Sequence, residues 1–435
     1  KAVLCSDTFL PLFSQLSREY DGLSYVFSMD EAKGGEENRF TFDTLLRDGR
    51  LRAWMGSDIR IDPDQPAMIV FTSGTTNASK PVLLSHRNLM ANACHAESMV
   101  WLGPKAFVPL PLYHTYGLTV GLLCHLSQGY TISVGGSLKT MLRDIALYEP
   151  TSIIAVPLIV EALWGMIRME LKKRGQLEQA DKYLDLKKPA PKKSGADAPY
   201  WDAVTAVLGK EIERIICGGA HLNPKICDDM EMLGVQVIEG YGITECSPII
   251  ACNRNLAQCP HSAGLVLPDT EVKIVDGEIW VRGVSVAKGY YRDPALTAEF
   301  FQDGWFMTGD LGSIDRNGFL SINGRKKTLI VFKNGKKVMP EKIEGYLTGI
   351  PMIQEAMVYG VPTGTSSDDV KLALMVFPNP QVSQGMDSYA VLQHLQEHVN
   401  RINRSLPSYK QIQIIKLKDA PFEKTALKKI KRHAV

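Results

Sequence analysis

Residues 72–80 read TSGTTNASK and follow the apolar run AMIVF. Hydroxyls at Thr72, Ser73, Thr75 and Thr76 surround Gly74, and Lys80 closes the run with a cation. Hydroxyl donors and an ammonium converging on one turn suit the β- and γ-phosphate oxygens of a nucleotide. A Walker loop is excluded: it needs glycine directly before its lysine and Ser or Thr after it, so that backbone amides cradle phosphate and the hydroxyl holds magnesium. Here Ser79 precedes Lys80 and Pro81 follows it. Taken alone, a run rich in Ser and Thr also fits a plain polar loop, so other segments must decide.

Those segments occur in order: PLPLYHTYG, CGGA, EGYGITE, GEIWVRG with GYY, TGDLG, NGRKKTLIVF with KNGKKVMPEKIE, and FEKTALKKIKR. Together with the opening loop they resemble the adenylate-forming superfamily, which includes acyl- and aryl-CoA synthetases, from about residue 66 to the C-terminus. GYGITECSP, the GRKK segment and the lysine-rich stretch at 171–200 are most similar to long-chain fatty acyl-CoA synthetases. The resemblance implies a two-step ligase using ATP, Mg2+ and coenzyme A. A fatty or other apolar carboxylate attacks the α-phosphate to give acyl-adenylate and pyrophosphate, and the thiol of coenzyme A then displaces AMP. Neither step needs an enzyme nucleophile, so positioning and charge neutralisation carry the catalysis.

Residue roles follow from the same resemblance. Glu245 is matched to the magnesium-binding glutamate, with the Thr72 hydroxyl as second contributor, and oxygen ligands suit that cation. Tyr241 offers a face for adenine; Gly218, Gly219, Ala220, Glu239, Gly240, Gly242 and Thr244 flank it in the nucleotide-binding segments. Asp310 matches the aspartate that accepts both ribose hydroxyls, and Arg325 an arginine near ribose and phosphate. His114 corresponds to the histidine beside the incoming carboxylate. Lys327 occupies the hinge about which a small domain turns between the two steps. Gly335 sits on the loop brought to the thioester-forming channel, and Lys429 matches the C-terminal adenylation lysine.

Three positions depart from the pattern. Asn77 replaces a glycine but tolerates left-handed backbone. Pro81 fixes φ and removes an amide donor. Lys428 replaces the glycine before Lys429, which leaves the choice between the two lysines open. Two other readings stand beside the ligase: an acyl-AMP ligase that loads an acyl carrier protein, and a catalytically weak nucleotide- or acyl-binding protein.

The elements that must position these residues alternate between short β-branched runs and amphipathic stretches. SYVFSM, AMIVF, YTISV, TSIIAV, RIICGG and VQVIEGYG read as strands, HRNLMANACHAESM and VEALWGMIRMEL as helices. That alternation predicts an α/β fold with helix-wrapped, mostly parallel sheets. After Asp269, Asp-Gly and Asn-Gly turns between apolar runs predict an antiparallel β section. Beyond Gly324 a hairpin, a helix from Pro340, two strands and the helix SYAVLQHLQEHVNRI predict a small α+β domain. The expected division is 1–324 and 325–435, with the hinge near Lys327. Residues 171–200, rich in lysine and carrying Pro-Ala-Pro, read as a surface insertion with little core. The opening KAVLC reads as if it began inside a domain, so an upstream segment is expected.

Composition narrows the class. With 45% hydrophobic and 22% charged residues over 435 positions the chain is globular and long enough for two or three domains. A balance of 49 basic and 47 acidic residues gives no reason to propose nucleic acid as a partner. No apolar run reaches the ~18 to 20 residues of a membrane span, and the start lacks a secretory signal, so a cytoplasmic enzyme with no transmembrane segment is expected. The 8 cysteines form no C-x-x-C pair, and Cys246, Cys252 and Cys259 are too irregularly spaced for a metal site.

Overall fold

The computed structural model describes residues 1–30, 39–51, 60–72, 79–135, 139–186, 197–332, 335–347, 349–362, 370–424 and 430–432. The chain divides into two compact units, Lys1–Asp62 and Pro63–Val435. In the first, the strands Ala2–Cys5, Tyr25–Ser28 and Arg39–Thr41 form a parallel sheet in that order, with the helix Leu10–Glu19 joining the first two. Its small core is Cys5, Leu10 and Val26.

The second unit is built on one large mixed sheet. Its parallel half runs Thr131–Val134, Lys105–Val108, Ser152–Ala155, Arg214–Cys217 and Gln236–Gly242. Every residue of Ser152–Ala155 and of Arg214–Cys217 is buried, as expected for parallel strands covered on both faces by helices. The helix Pro157–Lys173 supplies much of that cover, burying Ile159, Val160, Leu163 and Ile167 at the turn-by-turn spacing of one apolar face. The antiparallel half continues from Gln236–Gly242 through Ile249–Cys252, Gly264–Val266, Phe319–Arg325, Trp305–Ile314, Glu278–Gly283 and Thr270–Val275. Its last hairpin turns at Asp276–Gly277, both in the left-handed region at φ 50° and 83°, the geometry that Asp-Gly favours between strands.

The helix His86–Met99 starts where its sequence says it should. The Ser85 hydroxyl accepts from the Asn88 amide at 3.1 Å and the Asn88 side chain accepts from the Ser85 amide at 2.9 Å, a reciprocal cap. One turn on, fully buried Asn92 ties this helix to the antiparallel half. Its Nδ2 donates to the Cys246 and Ile249 carbonyls and its Oδ1 accepts from the Ile249 amide. A separate hairpin, Pro66–Thr72 with Lys80–Ser85, is completed by Gly289–Tyr290.

Toward the C-terminus, Ile353–Pro362 and Val370–Pro378 pair antiparallel, and Ile414–Leu417 adds parallel to the latter. The helices Pro340–Gly345 and Ser388–Ser405 close over them around Val358, Leu374, Val376 and Leu395. Asp387 caps the longer helix by accepting from the Ala390 amide at 2.7 Å.

One expectation needs correction. Residues 171–186 do not form a surface insertion: the first helix runs on to Lys173, and a second, Leu177–Leu184, buries Ala180 and Leu184. Arg168 and Asp181 pair through two bonds of 2.5 and 3.1 Å, and the Tyr183 hydroxyl donates to the Met232 carbonyl. Lysines on the outer face masked a helical stripe on the inner one. Residues 187–196, with the Pro-Ala-Pro stretch, lie outside the described residues.

Asn92→Ala should destabilise the chain by about 2–4 kcal/mol, because three buried backbone groups lose their partner at once. Denaturant unfolding measures this, and a loss below about 1 kcal/mol would show that these bonds are not what joins the helix to the sheet.

Candidate active site

A cavity of about 550 Å³ opens at the carboxyl ends of the parallel strands, where α/β sheets place their ligands. A second of about 1470 Å³ adjoins it. Thr72, Lys80, His114, Gly218, Gly219, Glu239, Gly240, Tyr241, Gly242, Thr244, Glu245, Arg325 and Lys327, all expected from the sequence, line the first. Asp310 and Ala220 line the second. Gly335 lines neither; it forms the turn before Lys337–Val338, at φ 76°, with its amide donating to the Phe332 carbonyl. Ser73, Gly74, Thr75, Thr76, Lys428 and Lys429 lie outside the described residues.

The hairpin explains why the ends of the phosphate-type loop meet. Thr72 and Lys80 are direct cross-strand partners, and the Ser79 hydroxyl donates to the Thr72 carbonyl at 2.9 Å. The Lys80 ammonium lies 3.5 Å from the centre of the Phe300 ring and 5.4 Å from that of Tyr290. Burial pulls its pKa below the usual lysine value, the Glu245 carboxylate pushes it back up, and the Lys327 charge adds to the fall. Among the described residues, Lys80, Arg325, Lys327, Lys424 and Lys431 bring positive charge to this cavity, against the carboxylates of Glu239 and Glu245. Arg325, Lys424 and Lys431 are paired with Asp310, Glu355 and Glu423, so the field that favours an anion rests mainly on Lys80 and Lys327.

Glu245 follows the strand Gln236–Gly242 in a tight turn, Thr244–Cys246. Its Oε1 accepts from the Tyr290 hydroxyl at 2.8 Å, and its carbonyl accepts from the Ala287 amide. The carboxylate is therefore oriented from outside, as ligating carboxylates commonly are. Magnesium bound through one or two carboxylates and substrate phosphates needs no more protein ligands than these, so Glu245 with Thr72 fits a cation carried in with a nucleotide. Among the described residues there is no group of three His, Cys, Asp or Glu side chains able to hold a metal by themselves.

Asp310 is buried at 3% exposure and fully engaged. The Tyr241 hydroxyl donates to its Oδ2 at 2.7 Å and Arg325 Nε approaches its Oδ1 at 3.0 Å. Asp310 and Arg325 are also register partners on adjacent strands. Each carboxylate oxygen keeps a further lone pair for a hydroxyl donor. Gly242 is required by packing: a Cβ there would lie 2.2 Å from the Pro248 carbonyl oxygen. At the other end of the cavity, His114 Nδ1 accepts from the Tyr116 amide at 3.2 Å. That bond assigns the ring proton to Nε2, and burial lowers the pKa, which favours the neutral imidazole at pH 7.

Part of the remaining wall is apolar. Ala96, Val100, Leu102, Val120, Cys124 and Ile249 form this apolar arm of the lining, drawn from the end of the helix His86–Met99, the turn Tyr116–Leu123 and the strand Ile249–Cys252 with the residues next to them. The turn is wider than an α-helix, with the Cys124 amide bonding back five residues to the Thr119 carbonyl. Sequence reasoning did not assign this arm, nor Tyr290 and Phe300. The quoted GYY held the first of those aromatics, but nothing local shows what its hydroxyl reaches.

A mixed α/β sheet with a lysine-lined cleft at the carboxyl ends of its strands is the arrangement in which α/β proteins bind ligands such as nucleotides. The chain matches the AMP-binding enzyme family over residues 23–291 and the AMP-binding enzyme C-terminal domain over residues 327–435, and it belongs to that family. A long-chain-fatty-acid–CoA ligase, FadD15, of Mycobacterium bovis is 31% identical over 315 residues, covering 68% of this chain and 52% of the relative. The long-chain-fatty-acid–CoA ligase of Escherichia coli O157:H7 is 29% identical over 377 residues, covering 82% and 59%. The chain thus spans about half the length of the curated relatives it matches. Among solved structures, the anthranilate CoA ligase AuaEII in complex with anthranoyl-AMP superposes with TM-score 0.74 at 20% identity, covering 99% of this chain and 76% of that one. The O-succinylbenzoate coenzyme A synthetase of Bacillus subtilis, in complex with ATP and magnesium, gives 0.69 at 23%, covering 99% and 83%. Both likenesses show the fold. No helix among the described residues is long and apolar enough to cross a membrane.

Glu239 supplies a pH test of the cleft. Burial first, then the Glu231 and Asp228 charges, raise its carboxyl to about 7 from an ordinary 4.5. A folded pKa above the unfolded one means that the stability contribution is complete below pH ~4.5 and is lost as pH rises through about 7. Glu239→Gln should therefore match the parent near pH 4.5 to 5 and gain a few degrees in Tm by pH 8. A Tm difference that is flat across this range would remove Glu239 from the desolvated wall.

Proposed function

We propose that this chain is the catalytic part of an AMP-forming acid–thiol ligase that activates a fatty or similarly apolar carboxylic acid and passes its acyl group to coenzyme A. One observation carries the reading: one cavity is lined both by Lys80, Glu245, Arg325 and Lys327 and by apolar side chains that include Val120 and Cys124, which in this reading form the arm for the acyl chain. A carboxylate with a hydrocarbon tail and a nucleotide triphosphate are the pair that such a cavity accommodates.

In this reading Tyr241 presents its ring to adenine while its hydroxyl fixes Asp310, and Asp310 takes the ribose hydroxyls. Lys80 and the Thr72 hydroxyl face the β- and γ-phosphates. Glu245 and Thr72 would hold Mg2+, which would supply charge neutralisation of the triphosphate. The Nε2–H of His114 donates to the incoming carboxylate and holds it beside the nucleotide phosphates. A carboxylate oxygen attacks the α-phosphorus and the bond to pyrophosphate breaks. The sulfur of coenzyme A then attacks the acyl carbonyl and the bond to AMP breaks. Between the steps the small C-terminal α+β domain, residues 325–435, turns about Lys327, and Lys429 serves the first step only.

Pyrophosphate release against a panel of carboxylates, with and without coenzyme A, tests this directly. Glu245→Gln should lower acyl-adenylate formation about 10²-fold, the scale of one preorganised electrostatic contact. Release of ADP and phosphate instead of AMP and pyrophosphate would overturn the assignment, and conversion only with an acyl carrier protein would move the acceptor from coenzyme A to that partner.

Val120→Phe should shorten the apolar arm. Each methylene kept out of an apolar pocket costs about 0.8 kcal/mol, so excluding two or three should lower kcat/KM for long acids by roughly 10- to 50-fold and leave short acids nearly unaffected. An equal loss for short and long acids would place the acyl chain elsewhere.

A further inference from the structure

The GEIWVRG segment has no role in the chemistry above, yet its glutamate is buried and doubly bonded. Glu278 begins the strand Glu278–Gly283 at 7% exposure. Its Oε1 accepts from the Gly309 amide at 2.9 Å and its Oε2 from Lys326 Nζ at 3.0 Å. A buried carboxylate is tolerated only when such partners satisfy it. Since the Lys326 side chain is 64% exposed and that of Glu278 only 9%, the carboxylate fixes the lysine rather than the reverse.

The two residues it holds belong to different functional parts. Gly309 precedes Asp310 and is left-handed at φ 71°, which turns its amide toward Glu278. The neighbouring Thr308 hydroxyl donates to the Ile279 carbonyl at 2.7 Å and accepts from the Asp310 amide at 3.0 Å. The bulge in the strand Trp305–Ile314 that presents Asp310 is therefore pinned at both edges to residues 278–279. Arg325 is bound to Asp310 and Lys326 to Glu278, so two consecutive residues are fastened to this one bulge. Thr328 faces the other way: its hydroxyl lies 3.0 Å from Glu341 Oε1 on the helix Pro340–Gly345, and Glu341 also meets Arg432. That hydroxyl is also 3.2 Å from the Arg325 carbonyl, a bond across the join. Lys327 stands between the two groups, its ammonium 5.9 Å from the centre of the Phe300 ring.

We propose that Glu278 is a positioning residue that locks the Gly309–Asp310 bulge and Lys326 into one body, so that the pivot toward the C-terminal domain begins at Lys327 and at no earlier residue. The pivot rests on the two-step reading given above, whereas the bracket does not. Glu278 touches no substrate; it sets where Asp310 stands and where the backbone is allowed to turn.

Hydrogen exchange of the full chain, followed in peptides covering residues 305–314 and 322–330, tests the bracket without any turnover. Lys326→Met removes the charge from an exposed side chain and should speed exchange at 326–328 about three- to fivefold, the scale of one partly exposed ion pair. Glu278→Gln should do the same while leaving Gly309 protected, because an amide oxygen still accepts its N–H. The double variant should exchange no faster than either single one. Glu278→Ala should also deprotect Gly309. In turnover, both single variants should shift the ratio of thioester formation to pyrophosphate exchange by a similar factor, which a purely structural glutamate would leave alone. Wild-type exchange at 326–328 in Lys326→Met, or additive effects in the double variant, would overturn the proposal. Absence of AMP binding and pyrophosphate release in the parent would sink the proposed function, and the exchange result would still decide the bracket.

Discussion

The carboxylate of Asp310 is the point on which the rest of the site depends. It is nearly inaccessible, and its two oxygens take a phenol from the last parallel strand and a guanidinium from the antiparallel half. A buried carboxylate in this position is stable only while both partners stay in place. Tyr241 therefore cannot swing away from the cleft, and Arg325 cannot leave the sheet, without exposing an uncompensated charge. One side chain thereby joins the two halves of the large sheet to the start of the C-terminal segment.

The opposite problem is solved at the cationic end. Lys80 and Lys327 act on each other as like charges in a partly desolvated space, and Glu245 is the carboxylate that moderates Lys80. Aromatic faces carry the rest: Phe300 lies beneath both ammonium groups, and ring faces attract cations without neutralising them. The cleft thus keeps a positive field for an incoming anion. A carboxylate at the place of Phe300 would hold the lysines more tightly but would cancel that field.

The C-terminal tail obeys the same economy. Lys424 pairs with Glu355 at 2.5 Å, and the Phe422 amide donates to the other oxygen of that carboxylate. Arg432 reaches Glu344 at 2.6 Å and the Val358 carbonyl at 3.1 Å. Burial raises the Glu344 carboxyl, and the Arg432 charge works against that rise. Both described ends of the tail are thereby fixed to the sheet Ile353–Pro362 and the helix Pro340–Gly345, while Lys424 and Lys431 still contribute to the cavity wall.

Much of this fold was legible in the sequence because the signals that specify it are local. Ser85 with Asn88, Asp276 with Gly277, and the Ile-Ile runs of SIIA and RIIC each settle an element within a few residues. The ordered motifs likewise marked Glu245, Tyr241, Asp310 and Lys80 before any contact was known. What the tertiary structure alone decided are the bonds between distant positions: Tyr290 with Glu245, 45 residues apart, Tyr241 with Asp310, 69 apart, and Asn92 with Ile249, 157 apart. Periodicity states which face of a strand is buried, and cannot state against what. For the same reason the stretch at 171–186 was misread, since its exposed lysines dominate composition while Ala180 and Leu184 pack unseen on the far face. The apolar arm had no sequence signature at all, because its lining comes from a helix, a widened turn and a central strand of the sheet, and only folding places those three around one space.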